Sequence, residues 1–191
     1  MLDRYQWANE DYDLSWTVAA VEGRTEAEVI RAYGGDPEHP IGSMTFADTV
    51  TLVPEEELGE WFVIQTMTTG RHVVALENNG WLGTRPELAE RVTADGGTFF
   101  SVQWSPVASR IVQAEDSKLL ADIEPLFAGE DTGELVPQWA REAVFAADGL
   151  RAAMLQAMEE QAGLTFDRTW LEAPLRTYRV SEGTAKNGGP F

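Results

Sequence analysis

Short strand-like runs crowd residues 14–123 of this chain, and helical periodicity takes over only after residue 137. That segregation constrains the fold more than any single motif. A chain that alternated strand and helix throughout would build a parallel sheet, whereas strands gathered first and helices later predict α+β with a mainly antiparallel sheet. The reading is about five to seven strands, two helices inserted between them and a C-terminal helical segment. Residues 1–180 read as one domain, with 181–191 as a flexible tail. At 191 residues, with 43% hydrophobic residues and seven Trp, the chain can bury a core of that size.

The pattern can be followed along the chain. Residues 14–21 read as a strand closed by Glu22-Gly23. Thr25-Glu26-Ala27-Glu28 is a capping box, in which the hydroxyl meets an orphan N–H and the carboxylate reaches back, so a short helix follows and stops at Gly34-Gly35. Residues 43–53 and 60–67 read as strands flanking the acidic turn Pro54-Glu55-Glu56-Glu57-Leu58-Gly59. Trp61-Phe62-Val63-Ile64 is apolar on both faces, as in a strand covered on both sides. Residues 72–77 form another strand, and Thr84-Arg85-Pro86-Glu87 reads as a second capping box with Pro in the first turn. Residues 98–104 alternate as a half-buried strand, and 109–114 and 119–123 pair around Glu115-Asp116-Ser117-Lys118 as a hairpin. Gly129 to Glu134 is an acidic linker, after which Leu150, Met154, Leu155, Met158 and Ala162 stripe an amphipathic helix ending at Gly163.

The segment Val73-Val74-Ala75-Leu76-Glu77-Asn78-Asn79-Gly80-Trp81-Leu82-Gly83-Thr84-Arg85-Pro86-Glu87 resembles one actinobacterial family, catalogued as the domain of unknown function number 6461. Other points resemble it in the same order: the aromatic start and strand at residues 16–23, the helix running into Gly-Gly-Asp-Pro at 28–37, the strand at 99–104, the hairpin at 111–116 and the closing helix at 161–171. The likeness spans residues 5–175. Two departures stand out. Members commonly place Gly after the Ala-Glu-Asp hairpin turn, where this chain has Ser117-Lys118, and the extension after Val180 is its own. The resemblance implies a fold and brings no activity, cofactor or site.

Charge narrows the partners. The chain holds 32 acids against 14 bases, a formal −18. Residues 1–60 carry 14 acids and 3 bases, hence −11. Such a field repels nucleic acid and anionic membranes and attracts basic partners. No cysteine is present, which removes disulfides, thiolate metal sites and cysteine nucleophiles together. No apolar run is long enough to span a bilayer and the N-terminus lacks a secretory pattern, so a cytoplasmic location is expected. The glycine pairs match no phosphate-binding loop, and His39 and His72 sit in no catalytic pattern. The acid runs lack calcium-loop spacing. No cofactor, no metal and no catalytic residue is assigned.

Two groups of residues remain as candidates for binding. Tyr5, Trp7, Tyr12 and Trp16 mix with acids near the N-terminus, which fits either an interface for a basic protein or aromatics packed on the sheet with acids facing water. Glu77, Asn79 and Trp81 form the best-defined motif, readable as carboxylate and indole at a strand end or as turn chemistry in which Asn79-Gly80 supply positive φ. Asp116 joins them through the hairpin. The leading expectation is a non-enzymatic module that captures a basic protein, by analogy with small acidic immunity proteins and their toxins. The alternatives are a structural subunit of a larger assembly and a carboxylate-dependent hydrolase pairing Glu77 with Asp116.

Overall fold

A computed structural model of the protein describes residues 2–10, 15–128 and 135–181. Its helices and strands are, in chain order, α1 (Trp7–Glu10), β1 (Trp16–Glu22), α2 (Glu26–Ala32), β2 (Gly42–Met44), β3 (Trp61–Thr69), β4 (His72–Asn78), α3 (Pro86–Val92), β5 (Thr98–Trp104), β6 (Ser109–Glu115), β7 (Lys118–Ile123), α4 (Gln138–Glu142), α5 (Leu150–Ala162) and β8 (Leu175–Ser181). The strands form one sheet in the order β2-β8-β3-β4-β1-β5-β6-β7, antiparallel at every pairing. The expected antiparallel α+β architecture is present, with eight strands among the described residues rather than five to seven.

Alternation sorts the strand side chains onto two faces, and each face builds its own core. Val18 and Ala20 of β1 join Leu76, Phe100, Val102 and Trp104 on one face, covered by α5 and the N-terminal aromatics. Ala19 and Val21 join Phe62, Ile64, Ala75 and Phe99 on the other, covered by Val29, Ile30 and Tyr33 of the α2 region and by Leu88 and Val92 of α3. Because both faces are covered, the run Trp61-Phe62-Val63-Ile64 is apolar throughout, as its pattern predicts. The same cover corrects the reading of β5 as half-buried: Ser101 is fully buried and Gln103 nearly so.

Local chemistry accounts for the other agreements and differences. The Thr25 box forms as expected, with both reciprocal hydrogen bonds in place. The second box does not. Thr84 Oγ1 donates to the Trp81 carbonyl instead, and Arg85, which offers no side-chain capping hydrogen bond to the helix, stands at the cap position, although Pro86 does open the helix. The long strand expected at 43–53 ends at Met44 and gives way to a 3-10 turn, Ala47–Thr51. Thr45 and Asp48 explain the change, because each side chain bonds the other's backbone N–H and starts a helical turn where a strand would have continued.

The largest difference is β8, which lies between the segment read as helical and the expected tail, where no strand was expected. Its Leu175, Thr177, Tyr178 and Val180 are buried while Arg176 and Arg179 reach solvent. The strand inserts between β2 and β3, so the C-terminal part of the chain closes one side of the sheet. The acidic linker at 129–134 and residues 182–191 of the expected tail lie outside the described residues. No helix among the described residues is long and apolar enough to cross a membrane.

Candidate functional site

Glu77 is the centre from which the site is built. It occupies the end of β4, opposite Thr17 of β1 and Ile64 of β3, on the face covered by α2 and α3. Its side chain is completely buried. A carboxylate there needs partners, and the chain that follows supplies them: the backbone N–H groups of Leu82 and Gly83 donate to Oε2 and Oε1 at 2.8 and 2.7 Å. Two neighbouring strands complete the attachment. Thr17 Oγ1 donates to the Gly80 carbonyl at 2.7 Å, and Ser101 Oγ donates to the Gly83 carbonyl at 2.6 Å. Three side chains from β1, β4 and β5 thus bolt the loop at 79–84 onto the sheet.

The two glycines of the motif follow from that geometry. A Cβ on Gly80 would stand 2.5 Å from Glu77 Oε2. One on Gly83 would stand 2.9 Å from Thr17 Cγ2, 3.0 Å from Glu77 Oε1 and 3.0 Å from the Tyr33 hydroxyl. Asn79 adopts φ of +55°, as the turn reading expects, whereas Gly80 is required by space and not by positive φ. Asn79 also ties the loop to the start of β1 by donating its N–H to the Ser15 carbonyl.

Burial pushes the Glu77 carboxyl up to about 7, an effect only partly opposed by the Gly83 and Leu82 amides and by the charge of Arg85. The Tyr33 phenol, fully buried over the same pinched space, is held well above its ordinary range by burial and then by Glu77. Since the folded carboxyl titrates above its ordinary 4.5, its contribution to stability is complete below that value and is lost as pH rises through about 7. The expected result is that the difference in unfolding free energy between wild type and Glu77→Gln falls with pH across this window, with a slope approaching about 1.4 kcal/mol per pH unit. Urea unfolding at a series of pH values checks it; a difference that is flat or rises with pH would refute it.

The loop presents Trp81 to solvent with 38% of its surface exposed. Its ring meets Phe62 edge-to-face at 4.9 Å, and its far corner lies against Gly59 of the acidic turn. Around it the chain gathers apolar residues that elsewhere are inside. Leu58 is 52% exposed and Val50 38%. Val50, Val53, Leu58, Trp61 and Asn79 line one shallow cleft. Asp48, Glu55, Glu56 and Glu60 stand exposed on the same turns, so the face has an apolar centre and an acidic rim. Val50, Val53, Leu58 and Glu60 were not among the residues singled out from sequence. The readable signal was three aliphatics placed in Pro- and Glu-rich turns, where burial by neighbouring structure is hardest.

The remaining candidates lie elsewhere. Tyr5 is buried and its hydroxyl donates to Glu159 at 2.7 Å. Trp7 stacks on Phe166 at 6.0 Å. Trp16 is buried against Trp104 at 3.9 Å and Phe46 at 5.8 Å. Tyr12 lies outside the described residues. Tyr5, Trp7 and Trp16 pack on the sheet. Asp116 and Ser117, with φ of +48° and +61°, make the tight β6–β7 turn. Strand register puts that turn with Thr98, Glu22 and His72, while Glu77 aligns with Thr17, Gln103 and Arg110 at the other end of the sheet. Five residues of strand separate the two ends, about 17 Å. Glu77 and Asp116 therefore form no acid/base pair, and the hydrolase built on them is corrected.

Fold and site together define a class: one antiparallel sheet between two helical layers, with a loop clamped by a buried carboxylate beside an acidic, apolar-centred face. Residues 2–161 match the family described as "Family of unknown function (DUF6461)". The chain belongs to that family. The matched span contains the Glu77 clamp and the acidic turn, while β8 lies beyond it. No curated protein and no solved structure matched the chain.

Proposed function

We propose that this protein is a non-enzymatic binding module that captures a positively charged protein on the face formed by residues 48–61 and the clamped loop. One observation carries the reading. Exposed Val50 and Leu58 line one shallow cleft, exposed Trp81 lies against Gly59, the residue after Leu58, and the exposed charged side chains of residues 48–60 are all acids, with Arg179 of β8 set against Glu57. Exposed apolar clusters with a polar rim are characteristic of interaction sites, and a predominance of one sign of charge favours partners of the other. The clamp favours binding because a loop already held by five hydrogen bonds to backbone groups loses little further freedom when a partner docks. Toxin capture by acidic immunity proteins is one form such a module takes, as analogy only.

The test compares wild-type protein, immobilised and exposed to extract of its native host, with two variants. One carries Leu58→Ser and Trp81→Ser, the other Glu55→Lys, Glu56→Lys and Glu60→Lys. Wild type is expected to retain basic proteins, and each variant to retain them at least about tenfold less, a loss of roughly 1.4 kcal/mol. Retention that both variants share with wild type, or retention of acidic proteins only, would overturn the reading.

A further inference from the structure

We infer that the partner side chain received beside Trp81 is an arginine, held as this protein already holds its own Arg179. The inference rests on the function proposed above. Arg179 of β8 places its guanidinium 4.2 Å from the centre of the Trp61 ring, and its Nη2 contacts the Glu57 carboxylate. Both holding groups belong to the acidic turn and the strand it feeds. The segment thus builds, within one chain, a guanidinium stacked on an indole and closed by a glutamate.

Trp81 repeats half of that arrangement beside the same turn. Its Cη2 lies 3.8 Å from where a Cβ of Gly59 would stand, so the turn passes that corner with no side chain of its own, and 38% of the residue's surface is open to a partner although Phe62 meets the ring at 4.9 Å. Among the described residues no cation of this chain sits over the Trp81 ring, whereas Trp7, Trp61 and Trp104 each have one. Glu57 is engaged by Arg179, but Glu55, Glu56 and Glu60 are exposed on the adjoining turn as counter-charge. Arginine is favoured over lysine for a physical reason. Guanidinium is planar and weakly hydrated, so it stacks on an indole and keeps its in-plane N–H groups for carboxylates, while an ammonium must shed a tightly held water shell.

Two peptides of equal length and charge test this, one with arginines spaced by glycines and one with lysines in their place. Binding is followed by calorimetry and by the indole N–H resonance of Trp81, assigned from its absence in Trp81→Leu. The arginine peptide is expected to bind about fivefold more tightly, the scale of one exposed cation–π contact, and to shift that resonance. In Trp81→Leu the preference disappears and a weaker, charge-driven affinity common to both peptides remains. Equal affinities in wild type, an arginine preference that survives Trp81→Leu, or binding of neither peptide would each overturn the inference. The Glu55→Lys, Glu56→Lys, Glu60→Lys protein separates the two claims. If reversal weakens both peptides equally and no arginine preference exists, the acidic face stands as the binding site and only the arginine assignment falls. If reversal changes neither affinity, the functional reading falls with it.

Discussion

Glu77→Ala is expected to destabilise the protein by about 2–6 kcal/mol, measured by urea unfolding at pH 5. The Leu82 and Gly83 amides both end on this one carboxyl, and each buried donor left without an acceptor costs about 1–3 kcal/mol. The loss is expected to be smaller at pH 8, because there the wild type carries the burden of an ionised carboxylate in a fully buried site. Amide hydrogen exchange gives a residue-level check: Leu82 and Gly83 should exchange faster in the variant, while the amides of β1 and β5 change only with global stability. Gly83→Ala offers a complementary route to the same site, since the added methyl would press on Thr17, Glu77 and Tyr33 together. A Glu77→Ala protein within 1 kcal/mol of wild type, with unchanged exchange at 82 and 83, would show that the carboxylate does not hold the loop.

Trp16→Ala is expected to cost about 3–5 kcal/mol, the scale of removing a large aromatic from a packed core. Trp16 joins the sheet to the N-terminal and C-terminal segments at once: Trp104 and Phe46 flank it, Trp7 lies at 6.4 Å and Phe166 at 5.7 Å. Removing it leaves a cavity bordered by four other aromatics from distant parts of the chain. Trp81→Ala, by contrast, is expected to lower stability far less and to act on binding. A pair of unfolding curves decides between the two readings that the N-terminal aromatics allowed. A small effect at Trp16 would return it to the surface.

How much of this was legible beforehand varied with the range of the interactions involved. The Thr25 box, Pro86 at the head of α3 and the β6–β7 hairpin all depend on groups a few residues apart, and all appear in the fold. The Thr84 box depended on equally close groups but met competition, because the hydroxyl donates to the Trp81 carbonyl instead. Strand β8 carried a weak signal in Leu175, Thr177, Tyr178 and Val180. Arg176 and Arg179 break up its apolar pattern, and only pairing with β2 and β3 makes it a strand. At the site, the sequence motif around Glu77 was visible, and its turn residues were readable. That Glu77 itself turns back beneath the loop was not, since Thr17 and Ser101, which share the work, stand 63 residues before and 18 residues after the glycines they bind.

The amino-acid sequence alone determined the class of fold, the sign of the surface and the residues able to make tight turns, because periodicity, net charge and local hydrogen bonding act over a few residues or over the whole chain at once. The tertiary structure alone decided which aromatics are core and which are displayed. Tyr5 and Trp16 went inside because two-sided cover of the sheet creates a second apolar layer for them, and Trp81 stayed outside because the loop beneath it is fastened by a buried carboxylate. Burial is a property of what packs against a side chain, so no pattern of neighbours in sequence could assign it.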